Sequence, residues 1–262
     1  MSLLSKLSKL YPIYRMGRVY PGVQQIGAPR YLRLLGLTTR CAIKGHFSQF
    51  GQDRFVADEL LSAIDAEGFN RLFIDVGCND PYVHSNSYYF ESELGFKVLA
   101  IDALKEVKDL WQNQRPNAQV IVTAVGERTG QVSFDVVAGP AQNSMFSSVS
   151  GASNKVSADV SNTRTVSVRT LTDIFAEHQI DRVAILSMDI EGYEIPALTG
   201  LDFGKTQIGA LIVENNGNSG IGSDQLRSLL LSHGYVYWAR IWNLDDIFVH
   251  PSVARHLSQS AR

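Results

Sequence analysis

Arg71-Leu72-Phe73-Ile74-Asp75-Val76-Gly77-Cys78-Asn79-Asp80 passes from an apolar run to a polar turn. Leu72, Phe73, Ile74 and Val76 read as a buried parallel strand, and Asp75, Gly77 and Asn79 lead the chain off its end. About 20 residues beyond Gly77, Val98-Leu99-Ala100-Ile101 forms a second such run closed by Asp102, where nucleoside-binding α/β folds put a carboxylate for the ribose hydroxyls. Strand, tight turn, helix, strand and acid make a nucleotide-type half-fold. A dinucleotide fingerprint needs further glycines so that the backbone can approach the phosphates, and this turn has only Gly77. The expected ligand is a nucleoside without phosphates.

Composition bounds the rest. With 262 residues, 45% hydrophobic and 19% charged, the chain suits one large domain with an appendage rather than a disordered segment. The net charge of −2 is unevenly spread: residues 1–45 hold eight Lys or Arg and no acid, which leaves −10 on the remainder. Residues 1–45 therefore read as a basic N-terminal extension and residues 46–262 as the α/β domain. Within the extension, Leu3, Leu4, Leu7, Leu10 and Tyr11 recur at helical spacing opposite Lys6 and Lys9. Residues 2–11 are thus either a peripheral contact with an anionic membrane surface or a short helix packed on its own domain. Cys41 and Cys78 have neither metal spacing nor a disulfide pattern, which predicts free thiols, a reducing compartment and a cytoplasmic protein.

Downstream of the extension, Ser48 to Leu61 is expected to form a helix that ends before Gly68, and the later part of Pro81–Gly95 a second. The leading N–H groups of that second helix would face the ligand and favour a carboxylate. A helix over 104–112, an alternating strand over Val120–Val125 and an edge or hairpin strand over Gln131–Val137 follow. Residues 138–163 read as a long polar loop, either a substrate lid or a disordered segment, and Thr165–Val168 as a short strand. Val183–Asp189 and Ile208–Val213 are buried strands, with Glu214-Asn215 after the second. A helix at Asp224–Ser232 and strands over Tyr235–Ile241 and Asp246–Val249 complete a doubly wound, mostly parallel sheet with a late antiparallel strand pair.

Asp75, Asp102 and Asp189 fall at the carboxyl ends of three separate strands, where open α/β sheets bind ligands. On Ser48-Gln49-Phe50-Gly51-Gln52-Asp53, Phe73-Ile74-Asp75-Val76-Gly77-Cys78-Asn79-Asp80, Ser85-Asn86-Ser87 with Glu91 and Leu94-Gly95, and Leu186-Ser187-Met188-Asp189-Ile190-Glu191-Gly192-Tyr193-Glu194, the chain resembles the FkbM family of S-adenosylmethionine-dependent methyltransferases over about residues 46–250. Pro81 replaces a more usual Gly, and Asp102 a common Glu. The resemblance implies a Rossmann-like class I methyltransferase fold over residues 46–262. It also implies methyl transfer to an oxygen, often a sugar hydroxyl of a glycolipid, polysaccharide or natural product. Asp75, Gly77 and Asn79 would line the methionine end of the cofactor and Asp102 would hold its ribose, with Gln49, Ser85, Ala103 and Ala124 completing the expected lining.

A hydroxyl is a weak nucleophile and needs a general base or a metal ion. Asp189, Glu191 and His84 are the candidate bases, with Glu191 alternatively capping the helix after Gly192. Asp189, Glu214 and Asn215 form the alternative, a hard oxygen site suited to Mg²⁺. Two rival classes share some of these features. A nicotinamide-dependent sugar enzyme would want a Tyr followed four residues later by Lys, which the chain lacks. A silent nucleoside-binding module gives no reason for Asp189 and Glu214 on neighbouring strand ends. The acidic body disfavours a nucleic-acid partner.

Overall fold

The computed structural model describes residues 45–137, 147–152, 160–215, 223–241 and 244–260. The amphipathic residues 2–11, the rest of the extension before Gly45, Cys41 and parts of the expected 138–163 loop lie outside them. No helix among the described residues is long and apolar enough to cross a membrane.

Helices α1 (Gln52–Glu59) and α2 (Leu61–Ala66) precede strand β1 (Leu72–Val76). Then come α3 (Tyr88–Leu94), β2 (Lys97–Asp102), α4 (Lys105–Gln114) and β3 (Gln119–Val122). A second set of strands follows: β4 (Ala124–Val125), β5 (Gly130–Val137), β6 (Ser148–Val149) and β7 (Val160–Arg169). The chain continues through α5 (Leu171–Glu177), β8 (Arg182–Met188), α6 (Glu194–Thr199) and β9 (Gln207–Glu214). It closes with α7 (Asp224–Ser232), β10 (Val236–Ile241), β11 (Asp245–Val249) and α8 (Pro251–Ser260).

Seven strands form the main sheet in the order β10-β11-β9-β8-β1-β2-β3. The five from β9 to β3 are parallel, while β11 runs antiparallel to both β9 and β10, which is the late antiparallel pair expected from the sequence. Chain order reverses between β1 and β8, so the crevice at their carboxyl ends is a topological switch point. One apolar cluster, with Phe73, Phe90 and Trp111, and another, with Ile74, Val76, Leu186 and Phe175, account for nearly unbroken apolar strands. Strands covered on both faces have no need to alternate.

Helix ends follow local chemistry. Thr170 Oγ1 accepts from Asp173 N at 3.0 Å to start α5, and Ser223 Oγ accepts from Gln225 N at 3.2 Å to start α7. Gly95, with φ of 69°, closes α3 in a left-handed conformation.

Four expectations are corrected. The helix from Ser48 begins only at Gln52 and breaks at Leu60 into α1 and α2. The strand Val120–Val125 is two strands in different sheets: Thr123 N donates to the Asp102 carbonyl at 2.8 Å, while its hydroxyl donates to the Ser167 carbonyl at 3.1 Å, so the chain changes sheet there. Of the two readings of Gln131–Val137 the hairpin one holds: β5 pairs antiparallel with β6 and β7, in a second sheet ordered β4-β7-β5-β6. That pairing extends the expected Thr165–Val168 strand to Val160–Arg169 and places β6 inside the stretch read as a loop. A polar strand such as β7 shows weak alternation, and only its long-range partner reveals it.

Candidate active site

Two clefts open at the switch point. One, of about 580 Å³, is largely apolar, with Ile101, Leu104, Val125, Phe134 and Val149 in its walls and Asp102, Ala103, Thr123 and Ala124 along one side. The other, of about 560 Å³, is polar and bounded by Gln49, Gln52, Asp75, His84, Ser85 and Asn86. Gly77, Asn79 and Asp189 border both, so the clefts meet at the ends of β1 and β8. All eight residues expected to line a cofactor are found on these walls. The small sheet contributes Phe134 and Val149, which sequence reasoning did not place there.

Gly77 is where the two strand ends come together. Its φ is 79°, and a Cβ on it would lie 1.8 Å from the Asp189 carbonyl oxygen. Asp189 N donates to the Val76 carbonyl at 3.0 Å and Gly77 N to the Ile101 carbonyl at 2.9 Å, so the turn is tied to both neighbouring strands. Glycine serves close strand approach here. Asn79 is also left-handed, with φ of 39°, a conformation that asparagine tolerates better than most residues.

Asp102 accepts from Asn79 N at 3.2 Å and from Leu104 N at 2.9 Å, and burial raises its pKa to about 6. Asp75 is 5% exposed, and its Oδ2 has no partner; burial raises it to about 6 as well, against the pull of Ser87 and Arg115. Asn86 donates to Ser187 Oγ at 2.9 Å, while its own buried Oδ1 is without a partner. Two buried acceptors left open on one polar wall suit a ligand rich in N–H donors.

Beside the junction lies a group of acids. Asp189, Glu191 and Glu214 each bring a carboxylate oxygen within 4.8 Å of the others. Burial and the charges of Asp189, Glu191 and Glu194 push Glu214 far above the ordinary carboxylate range, and its hydrogen bond with Asp189 favours its protonated form further. Glu191 sits at φ 55° in the turn before α6, and Glu194 Oε1 braces that turn, accepting from Ile190 N at 3.0 Å and Gly192 N at 3.1 Å. Burial raises Glu194 to about 7.

Asp245, opposite Glu214 in the β9–β11 register, accepts from Gln52 Nε2 at 2.5 Å and is raised to about 7 by burial. Asp245 was missed because only the β9–β11 pairing brings it beside Glu214, whereas Gln52 and Glu194 lie within the quoted motifs but were given no role in the site.

Asn215 is the clearest correction among the proposed metal ligands. Its Nδ2 donates to Asp246 Oδ2 at 2.6 Å, and its Oδ1 accepts from Ser223 N at 2.6 Å. It braces the start of α7, and Glu191 stands with Asp189 and Glu214 in its stead. His84 is exposed on the rim of the polar cleft, with partial desolvation lowering its pKa. Ser85 is buried there, accepting from Tyr88 N at 3.2 Å. That bond takes up the leading N–H of α3 expected to face a ligand. Ser48 likewise serves α1, accepting from Gly51 N at 3.0 Å and donating to Asp53 at 2.6 Å.

The fold and the divided cleft define a Rossmann-like α/β protein with an acidic centre at the carboxyl ends of its parallel strands. The family profile of the methyltransferase FkbM domain matches residues 75–237, well over half of the chain, and the chain belongs to the FkbM methyltransferase family. The match spans Asp75, Asp102, Asp189 and Glu214, and leaves Ser48–Asp53 and Asp245 outside it. Among solved structures, the methyltransferase FkbM from Methylobacillus flagellatus KT is similar at 13% identity and a TM-score of 0.44, over 93% of this chain and 59% of that one. This chain thus spans about three fifths of that protein's length. A TehB-like SAM-dependent methyltransferase from Corynebacterium glutamicum ATCC 13032 Kitasato is similar at 14% identity and a TM-score of 0.38, over 85% of this chain and 100% of that one. No curated protein matches the sequence.

Proposed function

We propose that this chain is an S-adenosylmethionine-dependent O-methyltransferase acting on a hydroxyl-bearing acceptor, with a sugar hydroxyl of a glycolipid, polysaccharide or natural product as its target. The observation that carries this reading is the divided cleft. Its apolar half suits a purine, Asp102 on the wall of that half would meet the ribose hydroxyls, and the open acceptors of Asp75 and Asn86 suit an ammonium group. Among the described residues neither half is lined by Lys or Arg, which disfavours the pyrophosphate of a nicotinamide cofactor.

When bound, the cofactor supplies an electrophilic methyl group. Asp189, on the border of both clefts, is placed to receive the proton of an acceptor hydroxyl, while protonated Glu214 orients it through their hydrogen bond. The cluster of Asp189, Glu191 and Glu214 favours a second reading of the same step. Three carboxylates this close need a neutralising charge, and Mg²⁺ in place of the shared proton would lower the pKa of an acceptor hydroxyl.

Calorimetric titration with S-adenosylmethionine and with NAD, each with and without Mg²⁺, tests the proposal. Micromolar binding of S-adenosylmethionine alone is expected, and binding of NAD instead would sink it. Asp189→Ala should abolish transfer while leaving cofactor affinity within a few-fold. Mg²⁺-dependent turnover would select the metal version, whereas turnover unchanged by chelation would select the proton.

A further inference from the structure

The last turn of α4 grips the loop between β1 and α3 from Asn79 to Ser87. Trp111 Nε1 donates to the Asn79 carbonyl at 2.8 Å, and the Tyr82 hydroxyl donates to the Gln114 carbonyl at 2.7 Å. Arg115, just past the end of α4, donates through Nη1 to the Pro81 carbonyl at 3.0 Å and to Ser85 Oγ and Ser87 Oγ, each at 3.1 Å. Its Nε pairs with Glu91 at 2.5 Å, and its guanidinium lies 4.2 Å from the centre of the Trp111 ring.

Arg115 is 3% exposed and touches neither cleft. Burying a guanidinium is costly unless its geometry is used fully, and its planar fork here joins α3, α4 and the loop at once. Its Nη2 nevertheless has no partner, and its charge reaches Asp75, whose Oδ2 is also open. The loop that Arg115 holds brings His84, Ser85 and Asn86 to the polar cleft. Of that loop only Asn79 also borders the apolar cleft, whose other walls come from the ends of β1 and β8, from β2, α4 and the small sheet.

We propose that Arg115 is a positioning residue for the amino-acid end of the cofactor site: it fixes the 79–87 loop that carries His84, Ser85 and Asn86 to the polar cleft. This rests on the S-adenosylmethionine reading above. A residue that only glued the fold together would affect every ligand of the cleft alike. A positioning residue for the polar half affects only ligands that extend into it.

The test compares S-adenosylhomocysteine, which carries the amino-acid group, with adenosine, which lacks it. Calorimetry is run on the full chain as wild type, Arg115→Met and Arg115→Lys, with thermal melts to confirm folding. Arg115→Met should weaken S-adenosylhomocysteine by roughly 10- to 100-fold and adenosine by less than about twofold. Arg115→Lys, which restores the charge without the fork, should recover part of that loss. If Arg115→Met does not fold, a loss confined to S-adenosylhomocysteine in Arg115→Lys supports the proposal. Equal loss of both ligands, or no loss of S-adenosylhomocysteine in a folded variant, overturns it. Wild-type protein that binds neither ligand would remove the cofactor reading itself, and this proposal with it.

Discussion

Gly77 shows how one residue can hold two strands and a site together. A side chain there meets backbone rather than a flexible group, because the first obstacle is the Asp189 carbonyl, and its φ of 79° is itself unfavourable for other residues. Gly77→Ala should therefore force β1 and β8 apart at their ends, lowering stability by roughly 2–4 kcal/mol. Cofactor affinity should fall with it, since Gly77 and Asp189 border both clefts. Thermal melts and calorimetry measure the two effects, and an alanine variant that keeps wild-type stability would refute the packing argument. Asp102 was legible as a strand-end acid, whereas its two backbone donors, Asn79 and Leu104, emerge only when the loops fold onto it.

At the scale of elements, the small sheet turns a half-open crevice into a cleft. Strand β5 carries Phe134, 8% exposed, over the apolar half, and β6 adds Val149, its partner in register. Truncation of this ring removes both core packing and a wall of the ligand site. Phe134→Ala is expected to cost about 3 kcal/mol in stability and to weaken adenosine at least as strongly, in relative terms, as S-adenosylhomocysteine. Denaturant melts and titration of both ligands check this, and undiminished adenosine affinity would show that the sheet does not form the wall. Only β5 of these strands had a clear alternating pattern. The partner β7 is polar on its exposed face, and β6 has just two residues, too few for any periodic signal.

Taken as a whole, the molecule concentrates buried acids on one edge of its main sheet. Burial raises Asp75 and Asp102 to about 6 and Glu194 and Asp245 to about 7, with Glu214 higher still. A carboxyl raised in the folded state binds its proton more tightly there than in the unfolded chain. Its contribution is fully present below its unfolded pKa near 4 and is lost as pH rises through the folded value. The cofactor-free protein should thus melt at progressively lower temperature from about pH 4 to pH 8. Asp245→Asn should flatten that slope and add on the order of 1–3 kcal/mol at pH 8, since it removes a charge buried beside Asp189. Melting curves over this range test it, and a stability that rises steadily with pH would contradict it. Glu106, Asp173 and Asp202 are shifted the other way by hydrogen bonds to Arg164, Thr129 and Lys205, but they lie at the surface, where water screens such contacts.

The sequence by itself determined the doubly wound sheet, the turn at Gly77 and the acids at three strand ends. Apolar runs and strand-end residues are local patterns, and burial on both faces writes them plainly into the chain. Tertiary structure alone decided that Asn215 turns to Asp246 and Ser223, that Asp245 sits opposite Glu214, and that Arg115 ties the 79–87 loop and α3 to α4. Each of these depends on residues brought from distant parts of the chain. Their meeting is set by sheet register and helix packing, which leave no local trace in the order of amino acids.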